Sequence, residues 1–484
     1  MSLFKLLQRG ISIISTIILA RLLLPEDFGI VTMAMLVVGF LELLRYFGFE
    51  MALINQKDPT RDHYNTVWTL NLIIAVLIGV ALWASTPIAI DFFEEPRLAN
   101  VFPLLSAGIV ISGFENVAIV NFRKNLNFRK DFQFLMARKL FSFTFTIGLA
   151  FYFQNYYAIV LGQLSTTIAM LIFGYFIIPY RPAICFRELK SVVGFSTWVF
   201  LNSLLRYANN MSANIMVAKF TDSSGLGIYN LSAELSKFST QEVVNSINRA
   251  AYPGYSKQAN DIQALKISFL KSIELITYIT VPVTTALAVV SPVMVPAIFG
   301  IKWIEAAPII QFLAFAHLFA ALAGINSIYF AMNKGGTASR ISFIRVAVSI
   351  PVIYMTTVYY GMIGTAIGLL VSSIVLLPVS YGPVFKYLNT TTKEVWLNVW
   401  RPIISGLIAY LITFGMYISI LTKSEPQYNL LDLIIISAIY GLSYLAAHFA
   451  LWTASGKPEG VESHAVVLVK KQTNKLLKQL QKSV

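Results

Sequence analysis

The chain has 484 residues, 57% of them hydrophobic and 12% charged, with a mean hydropathy of +0.69. Soluble domains carry about 25% charged residues, so a water-facing globule is excluded and helices in lipid are expected. The net charge of +14 has no basic soluble domain that could present it to nucleic acid; it fits Lys and Arg kept on the cytoplasmic loops of an inner-membrane protein.

Cys185 is the only cysteine, which rules out an intrachain disulfide and multi-cysteine metal sites. His63, His317, His448 and His464 are scattered and form no HExxH pattern. Neither a GxxxxGK[ST] phosphate loop nor a Rossmann fingerprint occurs, so no cofactor and no bound metal is expected. No cleavable signal is evident. The first apolar run, Ile11–Leu24, is interrupted by Arg21 and lacks a small-residue cleavage site.

A spanning helix needs about 20 mostly apolar residues, and about fourteen stretches meet this. The first six are Phe4–Leu24, Phe28–Gly48, Thr66–Ile88, Val101–Phe122, Phe134–Phe153 and Tyr157–Pro179. The next six are Phe195–Phe220, Leu226–Ala250, Ile273–Phe299, Pro308–Met332, Ile341–Tyr359 and Gly361–Val384. Val399–Leu421 and Leu430–Trp452 form a final pair.

Basic residues fall in alternate loops. One set holds Lys57 and Arg61, Arg123 to Lys130, Arg181 to Lys190, Lys257 and Lys266, Lys334 and Arg340, Lys386 and Lys393, and the tail Lys470–Lys482. The other offers Arg97, Lys219, Lys302 and Lys423, with acids at Glu26, Asp27, Asp91, Glu94 and Glu95. The basic set marks the cytoplasmic side. Both termini are therefore expected there, in a cell (inner or plasma) membrane.

Ile17–Ile30, IILARLLLPEDFGI, returns 198 residues later as Ile215–Ile228, IMVAKFTDSSGLGI. Arg21 matches Lys219, and Gly29-Ile30 matches Gly227-Ile228. Six helices separate the copies, so both start on the same side and the repeat is parallel. The expected fold is an all-α integral membrane protein with two six-helix lobes, residues 1–180 and 195–385, facing a central cleft. A cytoplasmic connector, 181–194, joins the lobes; a C-terminal helix pair, 386–454, and a basic cytoplasmic tail, 455–484, follow.

The seventh helix carries Asn202, Arg206, Asn210 and Asn214 at intervals of four, one flank of a helix. Placing a charge at the bilayer centre costs about 2.5–3.5 kcal/mol on insertion scales, so the flank should face the bundle interior or water. By the repeat offset, Gln8, Ser12 and Thr16 occupy the matching positions of the first helix. Glu234, Lys237 and Gln241 extend the theme along the eighth helix with Asn230 and Asn245, and Glu234 and Lys237 are close enough to pair. Glu42 and Arg45 give a shorter version on the second. These are the candidate substrate-path residues, and Arg206 is the leading one because guanidinium grips phosphate in two-pronged fashion. Glu115, Glu274 and His317 can equally serve interhelical packing. Arg138, Lys139 and Arg345, near helix ends, are expected to snorkel. Glu26 and Asp27, after Pro25, read as a helix cap. The lysine-rich tail either lies on anionic headgroups or is simply solvated.

ARLLLPEDFGIVTMA, ALINQKD, the basic loop NFRKNLNFRKDF, AKFTDSSGLGIYNLSAEL and AAYPGYSKQ together resemble the Wzx-type oligosaccharide flippases of the polysaccharide-export family, over most of the chain. The wider group includes lipid II flippases and multidrug antiporters. The resemblance implies a two-lobe, fourteen-helix transporter, not an enzyme, that moves a polyprenyl-diphosphate-linked oligosaccharide to the outer leaflet through inward- and outward-open states. Membrane lipid and the lipid-linked glycan are the partners it implies, with a polysaccharide polymerase and export machinery as further candidates. It supplies no fixed substrate-contact motif. Coupling to Na⁺ or H⁺, through Glu234 or Glu42, stays open. Two rivals stand beside it: an ion-coupled drug antiporter on the same scaffold, and a membrane glycosyltransferase or glycan polymerase for which Glu26 and Asp27 are the one hint.

Overall fold

A computed structural model describes residues 2–43, 53–54, 56–189, 197–238, 240–421, 429–458 and 460–463. Arg45 and the lysine-rich tail lie outside the described residues, and so do the side chains of Asn202 and Arg206. All regular secondary structure among the described residues is helical, without strands. They divide into two compact units, Met1–Asn230 and Leu231–Val484. The helix expected to open the second lobe is thus grouped with the first unit.

The first unit holds α1 (Ser2–Leu22), α2 (Pro25–Glu42), α3 (Arg61–Ala84), α4 (Thr86–Phe93), α5 (Leu98–Ser112), α6 (Phe128–Phe153), α7 (Tyr157–Ile177) and α8 (Thr197–Phe220). α9 (Ser223–Phe238) begins in it. The acidic turn is a cap, as its composition suggested. Pro25 has no N–H to lose at the first helical position. Asp27, 5% exposed, accepts the Leu24 N–H through Oδ2 and the Tyr156 N–H through Oδ1, both at 2.9 Å. Residues 180–189, which hold the described part of the expected connector, bond to α3. Tyr180 Oη donates to Asn65 at 2.6 Å, the Cys185 N–H donates to Thr69 at 3.0 Å, and Arg187 pairs with Asp62 at 3.2 Å.

The two repeat copies touch each other inside this unit. A Cβ built on Gly29 would stand 1.7 Å from the carbonyl oxygen of Ser223, and one on Gly227 would stand 1.9 Å from that of Pro25. The repeat offset of 198 carries Pro25 onto Ser223 and Gly29 onto Gly227. Each contact is therefore the two-fold image of the other, the reciprocity of an interface between like surfaces. Tyr207 of α8 extends the seam, donating its hydroxyl to the Leu36 carbonyl, with its ring over Gly39.

In the second unit the chain continues as α10 (Gln241–Lys257), α11 (Ile262–Ile298), α12 (Ala306–Leu322), α13 (Gly335–Val375), α14 (Leu377–Leu388), α15 (Thr392–Leu421) and α16 (Leu430–Ala454). The stretch expected to be the eighth helix holds two helices, α9 ending at Phe238 and α10 starting at Gln241, with Thr240 out of helical geometry at φ −124° just before it. Gln241 therefore does not continue the face that carries Glu234 and Lys237. α11 packs against α10, α12, α15 and α16. Its buried Thr277, Thr280 and Thr285 donate to carbonyls one turn back at 2.7–2.8 Å, which partners those three hydroxyls inside the helix.

α13 contains two expected helices. Unbroken, its 41 residues would run about 60 Å. Gly361 leaves the helix at φ 58°, ψ −140°, a conformation reserved for glycine. A Cβ on Gly364 would stand 1.9 Å from the Thr356 carbonyl oxygen, and the hydroxyls of Thr357 and Thr365 lie 2.8 Å apart. Residues eight apart in a continuous helix are separated by about 12 Å, so the chain reverses at Gly361, as the span limits Tyr359 and Gly361 anticipate.

Among the described residues eight helices are long and apolar enough to cross a membrane, or nine if the bent pair Leu98–Ser112 and Val117–Lys124 is one span. The expected fourteen is not reached by that measure. α1 carries Lys5, Arg9 and Arg21, α2 carries Glu26, Asp27 and Glu42, and the doubled-back stretch Gly335–Leu388 counts once.

Gly29→Ala and Gly227→Ala each force a backbone carbonyl aside, and overpacking alone costs about 1–3 kcal/mol. Both variants should lower the thermal unfolding midpoint in detergent. Gly10→Ala, with nothing within 4 Å of its Cβ, should leave it unchanged or raise it slightly.

Candidate functional site

Two adjoining polar cavities lie within the first unit. The smaller, about 190 Å³, is lined by Glu42 of α2, Ser112 and Glu115 at the end of α5, Arg138 of α6, and Gln163 and Thr167 of α7. The larger, about 570 Å³, takes Gln8 and Ser15 from α1, Arg138, Lys139, Ser142 and Thr146 from α6, and Gln163, Thr166 and Thr167 from α7. Arg138, Gln163 and Thr167 belong to both. α6 and α7 are held close behind this wall because Gly162 leaves room for Thr146, whose hydroxyl would sit 2.3 Å from a Cβ there. Thr166 donates to the Gly162 carbonyl at 2.7 Å, one turn back on α7.

This corrects the expectation for Arg138 and Lys139. They sit ten and eleven residues into α6 and line cavities between helices. Gln8 lines the larger cavity, as the polar flank of the first helix suggested, while Ser12 donates to the Gln8 carbonyl at 3.0 Å. The site mixes charges: carboxylates of Glu42 and Glu115, cations of Arg138 and Lys139. A water takes about 30 Å³, so the small cavity has room for about six. The larger falls in the range of ligand pockets.

The remaining candidates fall elsewhere. Asn214 is buried and donates to Asn230 at 3.3 Å, whereas Asn210 is exposed. Asn202 and Arg206 share α8 with them. Glu234 and Gln241 are exposed and Lys237 is half-buried. No three His, Cys, Asp or Glu gather as metal ligands among the described residues.

Near the glycine crossing sits a charged clasp. Arg97 donates to Glu95 twice at 2.8 Å, to Glu26 at 2.9 Å and to the Ser223 hydroxyl at 3.1 Å. Lys219 donates to Glu94 at 3.1 Å and to the Phe92 carbonyl at 3.0 Å, with the Phe92 ring 5.4 Å from its ammonium. The bidentate bond to Arg97 holds the Glu95 carboxyl below its ordinary value, against the opposing effect of burial.

A second network escaped the sequence reading. Arg401 and His448, 7% and 6% exposed, meet Glu462, 4% exposed, at 2.9 and 3.5 Å. Ser405 lies 3.1 Å from the other ring nitrogen of His448, and Glu274 accepts the Val461 N–H at 3.4 Å. The segment after α16 thus folds back onto α11 and α15. An arginine just inside the span Val399–Leu421 was the available signal; its partner, 61 residues on, was not.

The family described as Polysaccharide biosynthesis protein matches residues 18–308, more than half of the chain. The lipopolysaccharide biosynthesis protein WzxC of Escherichia coli (strain K12) is 25% identical over 414 residues, 84% of each chain. Among solved structures, the lipid II flippase MurJ in an inward closed conformation superposes with a TM-score of 0.73 at 14% identity, over 94% of this chain and 98% of its own. An inward-facing multidrug resistance transporter of the MATE family reaches 0.57 at 16% identity, over 80% and 96%. Both share the fold: an all-α, multi-pass membrane architecture.

Arg401→Ala strands a buried carboxylate, a loss of about 3–5 kcal/mol, and should lower the unfolding midpoint by several degrees. Glu95 stabilises above the pKa of the unfolded chain, about 4.3, and its contribution fades as pH falls through its depressed folded value. The midpoint difference between wild type and Glu95→Gln should therefore stay constant from about pH 7 to 5 and shrink below about pH 4.

Proposed function

This chain belongs to the polysaccharide biosynthesis protein family, and we propose on that premise that it is a flippase for polyprenyl-diphosphate-linked oligosaccharide, moving repeat units from the cytoplasmic to the outer leaflet for cell-surface polysaccharide. The observation that carries the reading is a polar, cation-bearing pair of cavities inside an apolar helical unit. A lipid tail can stay in the bilayer during translocation; a diphosphate and its sugars cannot cross hydrocarbon without groups that replace their hydration. Arg138 and Lys139 supply charge-assisted donors of that kind, with Gln163 and the hydroxyls around it for sugars.

In this proposal the protein sits in the cell inner membrane with both termini cytoplasmic. The lobes 1–180 and 195–385 alternate access between them, and 386–454 forms an accessory pair. The path includes Asn202, Arg206, Asn210 and Asn214, with Glu234, Lys237, Gln241, Glu42 and Arg45 along it. Arg97 and Lys219 are clasped on the side opposite the basic loops, which suits a gate closed outward. An inside-negative potential favours outward movement of the anion by about 2.3 kcal/mol per charge per 100 mV, less whatever protein charge moves with it. If Na⁺ or H⁺ is coupled, Glu42, which lines the smaller cavity together with Arg138, is a better-furnished seat than exposed Glu234. A polymerase and export machinery would receive the product.

An enzymatic role for Glu26 and Asp27 loses its motive, since one binds Arg97 and the other caps α2. A cationic drug would favour carboxylates alone; here Arg138 stands among them.

Reconstituted in liposomes, the protein should flip radiolabelled lipid-linked oligosaccharide and leave a cationic dye untransported; the reverse result selects the antiporter. Arg138→Ala and Arg206→Ala should each slow flipping about 10- to 100-fold, the worth of one charged hydrogen bond, at normal membrane levels. Arg206→Lys should recover part of the rate. Unchanged flipping in either Ala variant removes that arginine from the path.

A further inference from the structure

A third cavity, about 460 Å³, lies in the second unit between the start of α13 and α14. Its lining divides by chemistry along its length. Thr337, Arg340, Lys386 and Tyr387 occupy one end, and Ile344 and Val379 the other. The two helices run antiparallel here: the hydroxyls of Thr337 and Tyr387 are 3.5 Å apart, while Ile344 and Val379 stand seven and eight residues further along. That places the apolar end about 11 Å from the polar end. Lys334 adds a third cation, its ammonium 5.4 Å from the centre of the Tyr387 ring. No carboxylate lines the cavity among the described residues. Gly382 opens it further, with nothing within 4 Å of where a Cβ would stand.

We infer that this cavity binds the headgroup phosphate of an anionic membrane phospholipid, with the acyl chains lying along Ile344 and Val379. Three cations without an acid form an anion site. Two hydroxyls supply neutral donors, and the apolar end takes what a free anion lacks. Basic pockets between spanning helices on the cytoplasmic side hold anionic headgroups in this way. Lys334 and Arg340, at the start of α13, and Lys386, near the end of α14, belong to two basic groups of the set assigned to that side, separated in sequence and joined here by the fold. The site is remote in the chain from the cavities assigned to transport, and its occupant would be resident lipid rather than cargo.

The test uses the full chain in detergent and native mass spectrometry with added phosphatidylglycerol or phosphatidylcholine. Wild type should retain phosphatidylglycerol preferentially. Arg340→Gln with Lys386→Gln should bind it about 30-fold more weakly, two cations' worth, while eluting as a folded protein on gel filtration. Arg340→Lys should keep most of the preference. Gly382→Phe, which fills the cavity and leaves every charge in place, should also lose it. Equal retention of phosphatidylcholine by wild type, or an undiminished preference in the double variant or in Gly382→Phe, overturns the assignment. Displacement of the lipid by millimolar inorganic phosphate overturns it too, in favour of a free-anion site.

Discussion

Two backbones that pass without side chains between them govern the first unit. Gly29 meets the Ser223 carbonyl and Gly227 meets the Pro25 carbonyl, so neither copy of the hairpin can shift without driving a Cβ-less position into an occupied one. The closeness also explains the chemistry around it. With α2 and α9 in backbone contact, Glu26 and Ser223 come within reach of a single guanidinium, and Arg97 binds both. Asp27 then ties the same turn to the start of α7 through the Tyr156 N–H. A duplicated sequence has become a symmetric contact, and the contact has acquired an asymmetric ionic fastening.

Polar groups inside an apolar chain are disposed of in two ways here. At Arg401, Glu462 and His448 an ion pair and an imidazole close on one another with less than a tenth of each residue exposed. Such a cluster stabilises only while complete. Around Arg138 the arrangement is open. Carboxylates, cations, amides and hydroxyls border a shared space. The first pattern belongs to architecture and the second to traffic. Counting intramembrane charges would not separate them; the volume beside each one does.

Much of the fold was legible because it is written in local periodicity. The ends of α8 at Phe220 and of α7 near Ile177, the reversal at Gly361 and the cap at Asp27 all follow from apolar runs, glycine and short-range chemistry. The repeat was legible through four or five matched positions. Other features needed three dimensions. The break before Gln241 falls in a polar stretch whose spacing suits one long helix equally well. The cavities require α1, α2, α5, α6 and α7 together, so Arg138 read as a residue near a helix end. Arg401 and Glu462 are 61 positions apart, and no spacing rule links them. The stripe led by Arg206 was chosen for its period of four, and Asn214, which turns to Asn230, is the member whose partner is seen.

The return of residues 460–463 to the bundle has a practical corollary. Glu462 is the counter-charge of an arginine buried in α15, so the folded body extends past α16. Shortening the protein at Ala454, where hydropathy ends, would leave a guanidinium in oil with no partner. A boundary drawn for expression, fusion or tagging belongs after Glu462, eight residues beyond the point where the apolar sequence stops.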